Sequence, residues 1–184
     1  MNIISTLILF LFSCMTVFAQ QSPKTTNLFK AEAGLQGIGL GYEQKLGNKW
    51  TIDFSAGAGG GYEVSEDKLV YQWNLLQPSL YITLTPKYYY NIKKRAEAGK
   101  DTEFNSANYV GLRLKYTSAS SAPNDMLMDA FLINAHWGLQ RNFGNKWIFN
   151  GHIGAGYAYD HDFHFGTVYP ALDLKFAYIL GRRK

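Results

Sequence analysis

The sequence predicts an all-β protein: a single antiparallel, up-and-down β-barrel of eight strands that crosses a membrane. Apolar and polar residues alternate with a period of two from residue 28 almost to the end of the chain, which is typical of strands with two different faces. The alternating stretches run for about nine to eleven residues or more, the length that a tilted strand needs to cross a bilayer. The tetrapeptide Gly-Asn-Lys-Trp occurs twice, at 47–50 and 144–147, each time between two such stretches. Chained hairpins produce this pattern.

The N-terminal 19 residues form an apolar run that ends in Val-Phe-Ala. Such a run predicts a cleaved secretory signal peptide, residues 1–19, followed by a barrel domain at 20–184. A membrane anchor and a lipid-modified Cys14 stay open as alternatives. Cys14 is the only cysteine of the chain, so the mature domain would form no disulfide. The net charge of +4 and the 17% of charged residues are too low and too dispersed to favour nucleic acid as a partner.

Seven stretches alternate clearly, and each collects its apolar residues on one face. They begin at Leu28, Trp50, Leu76, Tyr109, Phe131, Trp147 and Val168. The first, residues 28–46, changes phase near Gly37, which indicates a bulge or a bend there. Because a single-chain bacterial barrel has an even number of strands, we expect the eighth strand either within 28–46 or at 69–75. The basic segment 93–100 is the best candidate for a helix, but we expect a turn there.

The polar faces are rich in Gly, Ser and Thr and carry only scattered charges, which suits the narrow lumen of an eight-stranded barrel. A soluble exterior would carry far more Lys and Glu. The candidates for a polar network that fills the lumen are Asp53, Lys87, Arg113, Lys115, His136, His152, Asp173 and Lys175. Aromatic residues gather at the ends of the apolar faces, as in the interfacial girdles of membrane barrels. These are Trp50, Tyr62, Tyr88, Tyr90, Tyr116, Trp147 and Tyr157. A soluble lipocalin-like barrel, with its apolar faces turned inward, is the alternative.

Each Gly-Asn-Lys sequence is expected to form a three-residue loop, because Gly and Asn tolerate the left-handed backbone of such loops. Both loops would then lie at one rim of the barrel, the periplasmic one. The longer connections at 63–68, 118–129 and 160–167 would lie at the other rim. The segment 93–106 belongs with the tight turns by this count, although it is long for that place.

The stretch TPKYYYNIKKRAEAGKDTEFNSANYVGLRLKY at 85–116, together with GLQGIGLGYEQKL at 34–46, resembles small outer-membrane β-barrel proteins of Bacteroidota-type bacteria. The resemblance implies a location in the Gram-negative outer membrane, with the lipid bilayer and lipopolysaccharide as surroundings. It also implies insertion by the barrel-assembly machinery. We expect the protein to be a monomer. It supplies no catalytic residue. The last strand departs from the family pattern, because it continues into Gly-Arg-Arg-Lys instead of ending on an aromatic residue.

The sequence predicts no enzyme and no cofactor, since it contains no phosphate loop, nucleotide fingerprint or cysteine metal site. His136 and His152 are expected to form a hydrogen-bonded pair in the lumen, with a metal or acid–base role as the alternative. The candidates for a metal site in an outer loop are Asp160, His161, Asp162 and His164. A lipid-modifying enzyme would need a nucleophile at the rim, for which Ser118, Ser120 and Ser121 near His161 are the candidates.

The expected role is therefore structural, or that of a scaffold whose surface loops bind a partner, with a largely filled polar lumen. Three other functions stay open. They are a narrow channel for small solutes, a lipid-modifying barrel enzyme and a soluble lipid binder.

Overall fold

The computed structural model describes residues 24–65, 67–73, 78–119, 129–160 and 164–183. Within these ranges the chain forms ten strands, one α-helix and one 3₁₀ turn. The strands are β1 (Asn27–Gly34), β2 (Gly37–Lys45), β3 (Trp50–Gly59), β4 (Gly61–Val64), β5 (Leu69–Gln72), β6 (Ser79–Tyr88), β7 (Asn108–Thr117), β8 (Ala130–Asn142), β9 (Trp147–Asp160) and β10 (Gly166–Arg183). The helix α1 is Ile92–Glu97, and the 3₁₀ turn is Glu103–Asn105.

Eight of these strands close into an antiparallel barrel in the order β1-β10-β9-β8-β7-β6-β3-β2. Strands that follow each other along the barrel wall pair with each other, and the first strand pairs with the last. The prediction of an all-β, eight-stranded antiparallel barrel is confirmed. The strands β4 and β5 pair only with each other, as a separate hairpin between β3 and β6.

The eighth strand comes from residues 28–46, which contain both β1 and β2. The change of phase near Gly37 is thus a hairpin turn and not a bulge within one strand. Gly37 has a φ of +133°, a conformation open to glycine and costly for residues with a Cβ. The other candidate segment, 69–75, supplies β5, which is not part of the barrel wall.

The prediction of a turn at 93–100 is wrong for its first half, where α1 forms. The helix is a single turn and a half, closed by hydrogen bonds such as that from Arg95 N to Asn91 O at 2.9 Å. It is held by Ile92, which is fully buried with Tyr89, Ala107 and Tyr109. One apolar contact in six residues is too little for a helical period to appear in the sequence. In the described part of the chain, no helix has the length and apolar character required to cross a membrane.

The connections define two rims. At the turn rim, β2 leads to β3 through 46–49, β6 to β7 through 89–107 and β8 to β9 through 143–146. At the loop rim lie the first residues of β2, β6, β8 and β10. Both Gly-Asn-Lys segments lie at the turn rim, as predicted. Only the second is left-handed, with φ values of 90°, 42° and 74° at Gly144, Asn145 and Lys146.

The first copy is held differently, because Thr25 hydrogen-bonds to it. Thr25 N donates to Asn48 O at 3.3 Å, and the Thr25 hydroxyl donates to Gly47 O. The predicted left-handed backbone is therefore wrong for the first turn. The two turns thus differ in their tertiary hydrogen bonds, since Lys146 O in the second turn accepts from Ile179 N at 2.8 Å.

The apolar faces point outward and the polar faces point inward. On the outside, Ile82 is 59% exposed and Ile153 is 60% exposed, whereas on the inside Asp53 and Arg113 are 2% and 4% exposed. The middle of this barrel is therefore charged and polar, unlike the apolar cavity of a lipocalin-like protein.

Candidate functional site

A network of alternating charges fills the middle of the barrel. Asp53 Oδ2 lies 2.6 Å from Lys87 Nζ and 2.9 Å from Lys30 Nζ. Lys30 Nζ also lies 2.9 Å from Glu32 Oε1, and the other oxygen of Glu32 lies 2.8 Å from Lys175 Nζ. Because each charge has an opposite neighbour, the network offsets the large cost of taking these groups out of water.

The network continues towards the turn rim through Glu43. Its Oε2 lies 3.7 Å from both Lys30 Nζ and Lys87 Nζ, and its Oε1 accepts hydrogen bonds from Thr51 and Tyr89 at 2.9 and 2.7 Å. Burial and the neighbouring Glu43 carboxylate raise the pKa of the Tyr89 hydroxyl, so Tyr89 stays a hydrogen-bond donor at the rim.

A second ion pair lies nearer the loop rim, where Arg113 Nη1 is 2.9 Å from Asp173 Oδ2. Lys115, two residues further along β7, is different, because none of the ion pairs among the described residues includes it. Its Nζ donates to Gln36 Oε1 at 2.8 Å and to the Tyr62 hydroxyl at 3.2 Å. The ammonium also lies 4.8 and 5.0 Å from the ring centres of Tyr62 and Tyr81, within the range of cation–π attraction.

His136 and His152 stack on each other with 4.1 Å between their ring centres. His136 Nδ1 lies 2.7 Å from Asn134 Oδ1, and the Tyr109 ring meets the His136 ring edge-on. In the described part of the chain, no three His, Cys, Asp or Glu side chains are grouped so that they could hold a metal ion. The expectation of a hydrogen-bonded pair is wrong, because the two rings stack on each other, and His136 Nε2 and His152 Nδ1 are buried without a hydrogen-bond partner among the described residues.

All eight residues predicted for the lumen network have their side chains inside the barrel. Sequence reasoning missed three charged members, Lys30, Glu32 and Glu43, and uncharged ones such as Tyr89, Tyr109, Gln140 and Asn150. The charged three all lie in residues 28–46. Resolving that stretch into two strands of opposite phase would have placed them on the inner face.

The turn rim is closed by residues 103–105. The Phe104 ring packs against Leu28, Ile148, Ala177 and Ile179, and Phe104 O accepts a 2.7 Å hydrogen bond from the Gln140 side chain. Phe104 and the next residue have positive φ values of 48° and 58°, which is unusual for residues other than glycine. The long connection at this rim therefore folds back over the end of the lumen.

The predicted interfacial aromatics Trp50, Tyr88, Tyr90, Tyr116, Trp147 and Tyr157 lie on the outer surface of the barrel. The two tryptophans of the repeated tetrapeptide have equivalent partners. Trp50 packs on Tyr88 at 4.7 Å between ring centres, and Trp147 packs on Tyr178 at 5.2 Å. The repeat in sequence therefore corresponds to a repeated outward aromatic pair.

Tyr62 corrects the prediction, because it lies inside and is only 6% exposed. The alternation of β3 continues through Tyr62 in sequence, but the barrel wall ends at Gly59. The β4–β5 hairpin then folds over the loop rim, where Tyr62 packs with Val64, Leu132 and Ala158. Burial raises the pKa of the Tyr62 hydroxyl, which therefore stays protonated beside Lys115.

The loop candidates for metal or acyl-transfer chemistry are only partly described. His161, Asp162, Ser120 and Ser121 lie outside the described residues. Asp160 ends β9 as a buried side chain, and His164 Nδ1 lies 2.9 Å from the Tyr159 hydroxyl. Ser118 Oγ accepts a 3.0 Å hydrogen bond from Leu80 N, which ties it to the edge of the barrel wall.

Comparisons with protein-family models, with curated proteins and with solved structures found no match to this chain.

Proposed function

We propose that this protein is a non-enzymatic outer-membrane β-barrel that serves as a structural element or as a scaffold for surface loops. One observation carries the proposal. The barrel turns a continuous apolar surface outward and keeps its charged residues inside. The strand register supports this orientation around the whole barrel.

The outer surface is unfavourable in water. Large exposed side chains occur on every barrel strand, among them Phe54, Leu80, Leu112, Ile153 and Val168. Charge is scarce on the outward face of the described barrel strands. Arg141, near the turn rim, is the charged side chain described on this face. Soluble monomers rarely expose apolar patches beyond a few hundred Å². Hydrocarbon chains of a bilayer solve this problem, so the lipid bilayer is the proposed surrounding.

The rims match the two interfaces of a bilayer. Outward tryptophan and tyrosine pairs lie at the turn rim, and Tyr116 and Tyr157 lie towards the loop rim. Amphipathic rings prefer the depth of lipid headgroups. The turn rim would face the periplasm and the loop rim the lipopolysaccharide leaflet. Insertion by the barrel-assembly machinery and a monomeric state are part of the proposal, since pairing of β1 with β10 closes the wall.

The interior favours a scaffold over a channel. Salt bridges cross the lumen at the level of Asp53, and residues 103–105 close the turn rim. Ion conduction would require these groups to separate. The β4–β5 hairpin at the loop rim is the ordered surface that a partner would meet.

Fractionation of cells that express the protein, followed by electrophoresis with and without boiling, tests the proposal. A closed membrane barrel resists detergent until it is heated, so we expect an outer-membrane band that shifts on boiling. Purified protein in planar bilayers should show no steady conductance. A soluble periplasmic protein without a heat shift would refute the membrane location, and a stable ohmic conductance would refute the filled lumen.

A further inference from the structure

The barrel wall is incomplete near the loop rim, between β10 and the β1–β2 turn. The pairing of β10 with β1 ends at Lys175, opposite Gly34. A last backbone hydrogen bond follows from Leu35 N to Leu174 O at 3.0 Å. Above it, residues 166–174 of β10 have a strand partner only on the β9 side within the described part of the chain. This part of β10 has a free edge in an otherwise closed barrel.

Pro170 fits the free edge. The carbonyl of Leu174 points towards β1, and in a strand every second residue points its backbone groups to the same side. Leu172 and Pro170 therefore point their backbone towards the gap. Proline has no N–H to leave unpaired, and within sheets it occurs at such edges. Pro170 therefore leaves no unpaired N–H on this edge of β10.

A cavity of about 550 Å³ lies behind the opening, a size typical of small-molecule sites. Its inner side is polar and includes Arg113, Lys115 and Asn134. Lys115 is 2% exposed, and among the described residues only neutral oxygens accept its hydrogen bonds. A buried ammonium without a carboxylate partner is unfavourable, and an anion that entered the cavity would improve its environment.

The outer side of the same cavity is apolar and includes Leu35, Trp73 and Leu172. Leu172 is 55% exposed and belongs to the outward apolar surface. The cavity therefore joins a buried cationic interior to the surface that would meet lipid chains.

The β4–β5 hairpin forms the roof. The Tyr71 hydroxyl and Trp73 Nε1 both donate to Leu35 O, at 2.9 and 2.8 Å. Burial raises the pKa of the Tyr71 hydroxyl, so Tyr71 stays a donor. These two bonds attach the hairpin to the β1–β2 turn at one margin of the opening, and the other margin is the free edge of β10.

We propose that this lateral cavity binds a single-chain anionic amphiphile, a long-chain carboxylate, with its head on Lys115 and its chain passing between Leu35 and Leu172. The inference rests on the proposed membrane location, because the far end of the chain stays in the bilayer. Charge complementarity selects the head, and the apolar outer lining selects the tail. Neither a short anion nor an uncharged lipid satisfies both sides.

The test uses a dibrominated stearic acid, whose bromine atoms quench tryptophan fluorescence at short range. The full chain is refolded in an uncharged detergent. Trp73 lines the cavity, whereas Trp50, Trp137 and Trp147 lie on the outer surface towards the turn rim. We expect a saturable component of quenching that disappears in Trp73→Phe, above a linear background from the other three. The matching brominated alcohol should give the background alone, and acetate should not compete.

Lys115→Met keeps an unbranched side chain of nearly the same length and removes its charge. We expect it to weaken the saturable binding by about tenfold or more, which corresponds to the free energy of a charge-assisted hydrogen bond. Lys93→Met, at a position 61% exposed on α1, is the matched control and should bind as the parent does. The acid–alcohol comparison on the parent protein decides the proposal even if Lys115→Met does not fold.

Equal saturable binding of the acid and the alcohol, or none of either, would overturn the inference. A protein that shifts on boiling but binds no acid keeps the membrane proposal and loses the lateral site. A soluble protein that binds the acid through Lys115 keeps the site and loses the membrane proposal.

Discussion

Replacing Asp53 by asparagine tests whether the interior ion network holds the barrel together. Asp53 Oδ2 lies 2.6 Å from Lys87 Nζ and 2.9 Å from Lys30 Nζ, and the three side chains are at most 3% exposed. At an effective dielectric constant of about 20, each attraction amounts to about 6 kcal/mol before desolvation. Removing one partner of a buried ion pair costs about 3–5 kcal/mol once both effects are included. We expect Asp53→Asn to lower the free energy of unfolding by that amount.

The assay is urea unfolding of protein refolded into lipid vesicles, followed by tryptophan fluorescence. Glu97→Gln makes the same chemical change in the exposed pair with Lys93, whose side chains are 61% exposed. It should cost no more than about 0.5 kcal/mol, as exposed helix pairs do. Adding Lys87→Met to Asp53→Asn should recover stability, because it removes a cation that has lost its nearest partner. A loss for Asp53→Asn as small as that of the exposed control would refute the reasoning.

Three further predictions concern the outer surface, the repeated turn and a close contact in the lumen. In vesicles, Leu84→Arg at mid-wall, where Leu84 pairs with Phe54 and Leu114, should lower the free energy of unfolding by about 2–4 kcal/mol, and Gln44→Arg near the turn rim by about 0–1 kcal/mol. Equal costs would contradict a bilayer around the wall. Gly144→Ala, at a φ of 90°, should destabilise the barrel more than Gly47→Ala, because Gly47 has no positive φ and has open space around its Cα. Urea titration of both variants measures the difference, and equal losses of stability would contradict the different backbones of the two turns. Gly138→Ala should cost about 1–3 kcal/mol by overpacking, because its Cβ would lie 2.4 Å from a buried tyrosine ring; an unchanged unfolding midpoint would contradict this packing.

The period of two was sufficient to predict which residues face in and out on most strands. It depends on local backbone geometry, and six of the seven alternating stretches became single barrel strands. The stretch at 28–46 was harder, because two short strands of opposite phase are joined by a turn of only two residues, 35–36. A periodicity averaged over both strands cancels, so the inward position of Lys30, Glu32 and Glu43 could not be predicted.

Tyr62 shows where alternation stops being informative. Its position in sequence continues the outward row of β3, yet the wall ends at Gly59 and the chain turns over the rim. The point at which a strand leaves a barrel depends on contacts with distant strands, here Leu132 on β8 and Ala158 on β9. No local pattern contains that information.

The closure of the turn rim was also beyond the sequence. Phe104 lies in a segment without periodicity, and its contacts with Leu28, Ile148 and Ile179 join parts of the chain that are far apart in sequence. The same holds for the cavity at the free edge of β10, since it depends on the different lengths of β1 and β10. Lys115 was recognised as a lumen residue, but the sequence could not show that no carboxylate of the described residues pairs with it, because that depends on neighbours from several strands.

The central claim, that the apolar outer face meets lipid, is tested most directly by spin labels placed along β6. Single cysteines at 80–88 are introduced into a Cys14→Ser background, and each labelled protein is refolded into vesicles. We predict that collision with oxygen, which dissolves in lipid, alternates with a period of two and is highest at Leu80, Ile82 and Leu84. Collision with a water-soluble nickel complex should be low at those positions. A high nickel collision rate at Ile82 and Leu84 would show that water covers this face and would contradict the membrane barrel.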